Sequence, residues 1–229
     1  MNSKTAIILF SRSAYEEAEA KDYFSQSKEK KAIQLSQELR KNSLKICKQS
    51  GLSIINFNSK LQKGRNFGEK ITHAIQATFQ QGFENLIVIG IDSPGLNYRH
   101  IKRARHILEG TQSTVLGPSY DGGVYLIGIN AANFNPQEFI ELAWQSEKLQ
   151  ESWTKIQTEI VWLNILRDID IAADLWVFTK TIFKTLQQFH LLVLLMLQIS
   201  QKKFLPLKIK VREQTLSPSF GFRAPPSLF

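Results

Sequence analysis

The stretch that most constrains this chain is N-L-I-V-I-G-I-D, residues 85–92. Leu86 to Ile89 is a short apolar, β-branched run closed by Gly90, the pattern of a strand buried on both faces of a parallel sheet. Asp92 then falls where the strand ends and its loop begins. Open α/β sheets bind ligands in the crevice outside the carboxyl ends of their strands, so a carboxylate there can hold a cation that bridges a ligand's phosphates. Ahead of Pro94-Gly95 the same residue also fits an Asx turn, its side chain bonded to local backbone.

A second stretch repeats the ambiguity. Gly117-Pro118 closes one apolar run, and Asp121-Gly122-Gly123 separates it from Val124 to Ile129. Paired glycines let backbone approach a ligand or turn with positive φ, and a hairpin requires no more than that. By spacing, Asp121 is equally a turn residue.

The order G-I-D-S-P-G-L followed by G-P-S-Y-D-G-G-V-Y-L-I-G-I resembles a bacterial family of nucleotide-diphospho-sugar transferase-like proteins with the GT-A fold. Members include glycosyltransferases of the arsenosugar-biosynthesis type, and the family is related to guanylyltransferases acting on phospholactate and on molybdenum cofactor. The resemblance runs from about Thr5 to Leu175. It implies an α/β three-layer sandwich with a mostly parallel central sheet, a nucleotide or nucleotide-sugar as ligand, and Mg2+ or Mn2+ as cofactor. It further implies transfer of a glycosyl group to a small-molecule acceptor; nucleotidyl transfer and a catalytically degenerate binding or scaffold protein are the alternatives. Asp92 is then a metal ligand, Asp121 the catalytic candidate facing the acceptor, and Gly122 and Gly123 border the substrate.

The first apolar run, Thr5 to Phe10, suits a central strand. In the resembled family the loop that follows cradles phosphates with glycines or basic residues; here S-R-S-A-Y-E-E-A-E-A-K has no glycine. Arg12 and Lys21 can meet phosphates as charges, opposed by Glu16, Glu17 and Glu19. A loop leading into a solvated helix explains both basic residues equally well. Ser27 to Gln49 carries apolar residues at helical spacing, with Gly51 as its stop, and Leu52 to Phe57 makes a second strand. The following Q-K-G-R-N-F-G-E-K resembles the family's nucleotide-binding motif at Gln62, Gly64, Phe67, Gly68 and Lys70. A glycine-bearing segment opening onto a helix offers backbone N–H groups to an anion, although a plain loop and N-cap account for it too.

Tyr98 to Glu109 reads as a helix with Ile101, Ala104 and Leu108 inward and its basic residues in water, linking two parallel strands. Trp144 resembles a residue bordering the acceptor, where it can stack on a flat substrate, although an aromatic among Phe134, Phe139 and Leu142 also reads as core. Glu159 to Leu163 is strand-like, and R-D-I-D-I-A-A-D-L after it resembles the acidic close of nucleotidyltransferase-like domains. That resemblance makes Asp168 or Asp170 the second metal ligand, Asp168 preferred, while caps at a helix start would use the same residues. Asp174 reads as helix surface.

The formal net charge of +9 suggests a nucleic-acid partner, but its distribution argues otherwise. Residues 1–179 carry 21 Lys and Arg against 19 Asp and Glu, whereas residues 180–229 carry 8 against 1. The expected organisation is a transferase-like domain over 1–190 and a basic appendage over 191–229, with no nucleic-acid partner and peripheral membrane contact left open for the tail. The apolar run from Phe189 to Ile199 is too short to cross a bilayer. The lone Cys47 excludes an internal disulfide, and no signal-peptide layout opens the chain, so a cytoplasmic protein is expected.

Overall fold

The computed structural model describes residues 4–21, 23, 29–171, 173–175 and 177. The proposed boundary at residue 190 and the basic appendage lie outside the described residues. Six strands form one sheet: β1 (Thr5–Phe10), β2 (Ser53–Phe57), β3 (Asn85–Ile89), β4 (Thr114–Pro118), β5 (Val124–Asn130) and β6 (Ile160–Trp162), in spatial order β2-β1-β3-β5-β4-β6. Pairing is parallel for β1 with β2 and β3, and for β4 with β6. The exception is β5, antiparallel to both β3 and β4.

The runs of β1 and β3 are buried throughout, so alternate residues face opposite layers. Ala6, Ile8 and Phe10 of β1 join Leu86 and Val88 of β3 on one face; Ile7, Leu9, Ile87 and Ile89 point to the other. On the first face pack α3 (Phe67–Phe79), α5 (Pro136–Ile140) and α6 (Leu149–Ile156) through Ile71, Ile75, Phe139 and Trp153. On the second lie α2 (Glu29–Gln49) and α4 (Tyr98–Gly110), through Ile46, Cys47, Ile101, Ala104 and Leu108. The result is the expected three-layer α/β sandwich with a mostly parallel sheet. Burial pushes the Cys47 thiol up to about 12, consistent with inert packing.

The expected unit of strand, helix and strand is present, but β3 and β4 are not neighbours. The segment Asp121-Gly122-Gly123 turns the chain back, so β5 enters the gap between them antiparallel. After β1 the chain enters α1 (Ala14–Ala20) almost at once, behind a capping box of Ser13 and Glu16.

Opposite the strand carboxyl ends, the sheet is closed by a buried polar group. Asn130 Nδ2 donates to Asn85 Oδ1 at 2.5 Å and to the Leu108 carbonyl at 3.2 Å, and Thr5 Oγ1 donates to Glu109 Oε1 at 3.0 Å. These bonds tie the end of α4 to three strands.

Candidate functional site

A crevice of about 880 Å³ opens outside the carboxyl ends of β1 and β3 and beside the β4–β5 turn. Arg12, Lys21, Gln62, Lys70, Asp92, Asp121, Gly123, Trp144 and Asp168 all line it. Gly64, Gly68 and Gly122 do not line it, and the packing accounts for each of them. A side chain at Gly64 would meet Glu69, and one at Gly68 would come within 2.7 Å of both the Ile140 carbonyl and the Trp144 ring. Gly122 has φ +88° and lies against the backbone of Glu147, 2.5 Å from a would-be Cβ. Two glycines that resemble ligand-contacting residues thus seat the segment 144–147, Gly68 against Trp144 and Gly122 against Glu147.

The segments expected to offer free amides are occupied by acidic and amide side chains. After β1, the Arg12 N–H donates to Glu17 Oε1 at 2.9 Å, and the Ser13 N–H donates to Glu16 Oε2 at 2.9 Å. Bonds from Ser13 and Ser59 hold the Glu16 carboxyl down to about 2, whereas burial, and then Asp92, raise that of Glu17. Ahead of α3, Arg65 N–H donates to Glu69 Oε2 at 2.7 Å and Glu69 N–H to Asn66 Oδ1 at 2.8 Å. Gln62 braces the same region, its Nε2 donating to the carbonyls of Ser11 at 2.9 Å and Phe57 at 3.0 Å.

Trp144 is mainly a packing residue. Its ring meets Phe67, Phe139 and Trp153, and its indole N–H donates to the Phe139 carbonyl at 2.7 Å, leaving only part of the side chain to border the crevice. Gln145, next to it, takes the left-handed conformation at φ 57°, which costs a non-glycine residue energy and aims the following residues at the crevice.

The carboxylates converge from three loops. Asp121 Oδ1 accepts from Ser119 Oγ at 2.5 Å and from the Gly123 N–H at 3.0 Å, so the residue is a turn former whose Oδ2 is outside those bonds. Gln150 of α6 pins this turn, donating to the carbonyls of Ser119 at 3.0 Å and Gly123 at 2.8 Å. Asp168 accepts from Ser93 Oγ. Burial, and then the neighbouring Asp92 and Asp121, push its carboxyl up to about 7 against the bonds from Ser93 and Ser119. Asp170 was the lesser of the two acidic candidates in its motif, yet it is the one joined to Asp92 through a shared partner. Lys21 Nζ lies 2.7 Å from Asp92 Oδ1 and 2.7 Å from Asp170 Oδ1. Burial opposes the Lys21 charge, and the carboxylates of Asp92 and Asp170 more than reverse that, holding it protonated above the usual lysine range. Asp174 is not a plain surface residue: its Oδ2 accepts from the N–H groups of Asp170 and Ile171 and fixes that segment.

Arg65 and Asn66 also line the crevice and were not singled out in the sequence, since nothing in their spacing separates them from ordinary loop residues. Among the described residues no group of three metal-ligating side chains is assembled, and no helix is long and apolar enough to cross a membrane. Asp92 and Asp168 nevertheless fit a cation chemically. Both are oxygen ligands from separate strand ends, and Asp168 is held near neutrality by burial and surrounding negative charge that a cation would relieve.

The family model described as "Uncharacterized protein conserved in bacteria (DUF2064)" matches residues 23–146, more than half of the chain. No curated protein matches the chain at a significant level. Among solved structures, a protein from Desulfovibrio desulfuricans G20, provisionally named a nucleotide-diphospho-sugar transferase, is similar at TM-score 0.78 and 20% identity. That match covers 87% of this chain and 98% of the other. Two weaker likenesses are Rv0371c from Mycobacterium tuberculosis H37Rv (TM-score 0.45, 11% identity, 76% and 96% covered) and a CMP:2-keto-3-deoxy-manno-octonic acid synthetase complexed with CTP (TM-score 0.39, 10%, 86% and 100%). Neither is close enough to carry an argument. With the matched segment running from just after α1 through the β4–β5 turn to Ser146, the chain belongs to the DUF2064 family and has a nucleotide-diphospho-sugar transferase fold.

Proposed function

We propose that the crevice binds a nucleotide or nucleotide-sugar and that the protein transfers a glycosyl group from it to a small-molecule acceptor. The observation that carries this reading is the two-signed lining of one cavity. Arg12, Arg65 and Lys70 bring a basic wall to the lining from the segments after β1 and ahead of α3, while Asp92, Asp121, Asp168 and Asp170 reach it from strand and turn ends. Phosphates belong at the basic wall, where arginine presents a planar fork to their oxygens.

Asp92, with Asp168 or Asp170, would hold Mg2+ or Mn2+, which when bound supplies charge neutralisation to the phosphates. The chain's own part is positioning. Gln150 and Ser119 fix the turn that carries Asp121, leaving Oδ2 to accept a proton from an acceptor hydroxyl. The partly exposed Trp144 edge and Gly123 border the acceptor side. Nucleotidyl transfer would use the same phosphate and cation ligands with a different bond broken.

One observation favours a catalytically degenerate nucleotide-binding or scaffold protein instead. The amides of Arg12 and Ser13, placed after β1 where phosphates are cradled in the resembled family, are already bonded to Glu17 and Glu16.

Calorimetric titration with a panel of nucleotides and nucleotide-sugars, each with and without Mg2+ or Mn2+, separates these readings. Wild type should bind at least one nucleotide more tightly with metal, and Asp92→Asn should lose the metal-dependent part. If wild type binds none, the transferase reading fails; if it binds one yet releases no transfer or hydrolysis product, the binding-protein reading stands.

A further inference from the structure

We infer that the Lys21 ammonium holds the divalent cation's place in the ligand-free crevice, so that metal is admitted only when Lys21 leaves. This rests on the proposed reading of the crevice as a phosphate and cation site.

Asp92 follows β3 and Asp170 follows β6, so two carboxylates from separate loops meet through one atom, Lys21 Nζ, 2.7 Å from an oxygen of each. A third contact at 3.4 Å runs to the Ile169 carbonyl, in the same segment as Asp170. That is a small cation held by oxygens from two loops, the arrangement a hard divalent ion requires. Mg2+ stands about 2.1 Å from its oxygen ligands, so it cannot share these oxygens with an ammonium at hydrogen-bond distance without two positive charges almost touching.

The Lys21 side chain is 10% exposed. Removing it with nothing in exchange leaves Asp92 and Asp170 facing each other without a counter-charge, an arrangement that strongly favours uptake of another cation. Lysine suits an exchangeable role because it is a compact charge on a flexible four-carbon stem. It lines the same cavity as Arg12, so an anionic ligand at the basic wall gives the displaced ammonium a new partner. Metal and anion therefore enter together, and metal alone is disfavoured.

The test contains no nucleotide. Mn2+ binding is measured by calorimetry on wild type and Lys21→Met, alongside the melting temperature of each with and without Mn2+. Lys21→Met should bind Mn2+ at least tenfold more tightly than wild type. It should melt below wild type without metal and regain several degrees with it, while wild type does not move at the same concentration. Asp170→Asn in the Lys21→Met background should abolish the gain. If Lys21→Met does not fold, Lys21→Gln, which keeps a polar contact but no charge, carries the same expectation. Equal or weaker Mn2+ binding in the variants, or none in any protein, overturns the inference. Because no nucleotide is present, that failure is distinct from failure of the nucleotide-binding reading, which the preceding titration decides.

Discussion

The two ends of the sheet bury polar groups to opposite effect. At the amino end of β1 and β3, the side chains of Thr5, Asn85 and Asn130 join one another, Glu109 and a backbone carbonyl in neutral or singly charged bonds. At the carboxyl end, Asp92, Asp168 and Asp170 crowd together with Lys21 between two of them, and Asp168 is pushed up to about 7. Most polar atoms buried at the amino end are matched by partners the chain itself supplies, with Asn130 Oδ1 the exception. The acidic end is incompletely matched, which is the condition under which a ligand gains most by binding.

The comparison can be broken most sharply at the turn joining the two halves of the sheet. Gly122→Val adds a side chain at φ +88° into the Glu147 backbone, so it should cost about 3 kcal/mol and displace segment 144–147. Chemical denaturation gives the loss, and a change in tryptophan emission, to which Trp144 contributes, reports the displacement.

A smaller loss is expected at the amino end. Asn130→Ala removes both donors from Asn85 Oδ1 and the Leu108 carbonyl and should cost about 2 kcal/mol at any pH between 5 and 8, read from urea midpoints.

The prediction that sharpens the contrast is a pH dependence and concerns Asp168→Asn. The folded carboxyl titrates near 7 against an ordinary 3.8, so the folded state binds the extra proton. The stability this gives wild type is fully present below about pH 4 and is lost as pH rises through about 7. Asp168→Asn, which cannot titrate, should therefore gain on wild type between pH 5 and pH 8. A constant difference over that range would show that the acidic end is as well matched as the amino end.

Much of the fold was legible because it is local. Thr5–Phe10 is a strand over its expected range, and Gly51 ends its helix with the positive φ of 69° that its position implies. The order of strands was not legible. A run such as Val124 to Ile129 is equally apolar in a parallel or antiparallel place, and only pairing with β3 on one side and β4 on the other decides it. The candidate site divides in the same way. Asp92, Asp121, Asp168, Arg12 and Lys21 line one cavity. Gly68 instead faces Ile140 and Trp144, 72 and 76 positions further on, and Gly122 faces Glu147, 25 positions further on, contacts with no trace in local pattern. The choice of Asp170 over Asp168 as partner of Lys21 likewise depends on the path of the chain after β6. Neighbouring carboxylates two residues apart look alike in sequence.

Gln150 gives the molecule a mechanical linkage. Its amide holds two carbonyls of the Ser119–Gly123 turn from a helix whose Trp153 is sunk in the core, so the turn is braced from outside its own hairpin. Opening this turn breaks those two bonds to the helix in addition to its own, so its local opening costs more than that of a turn held by its hairpin alone.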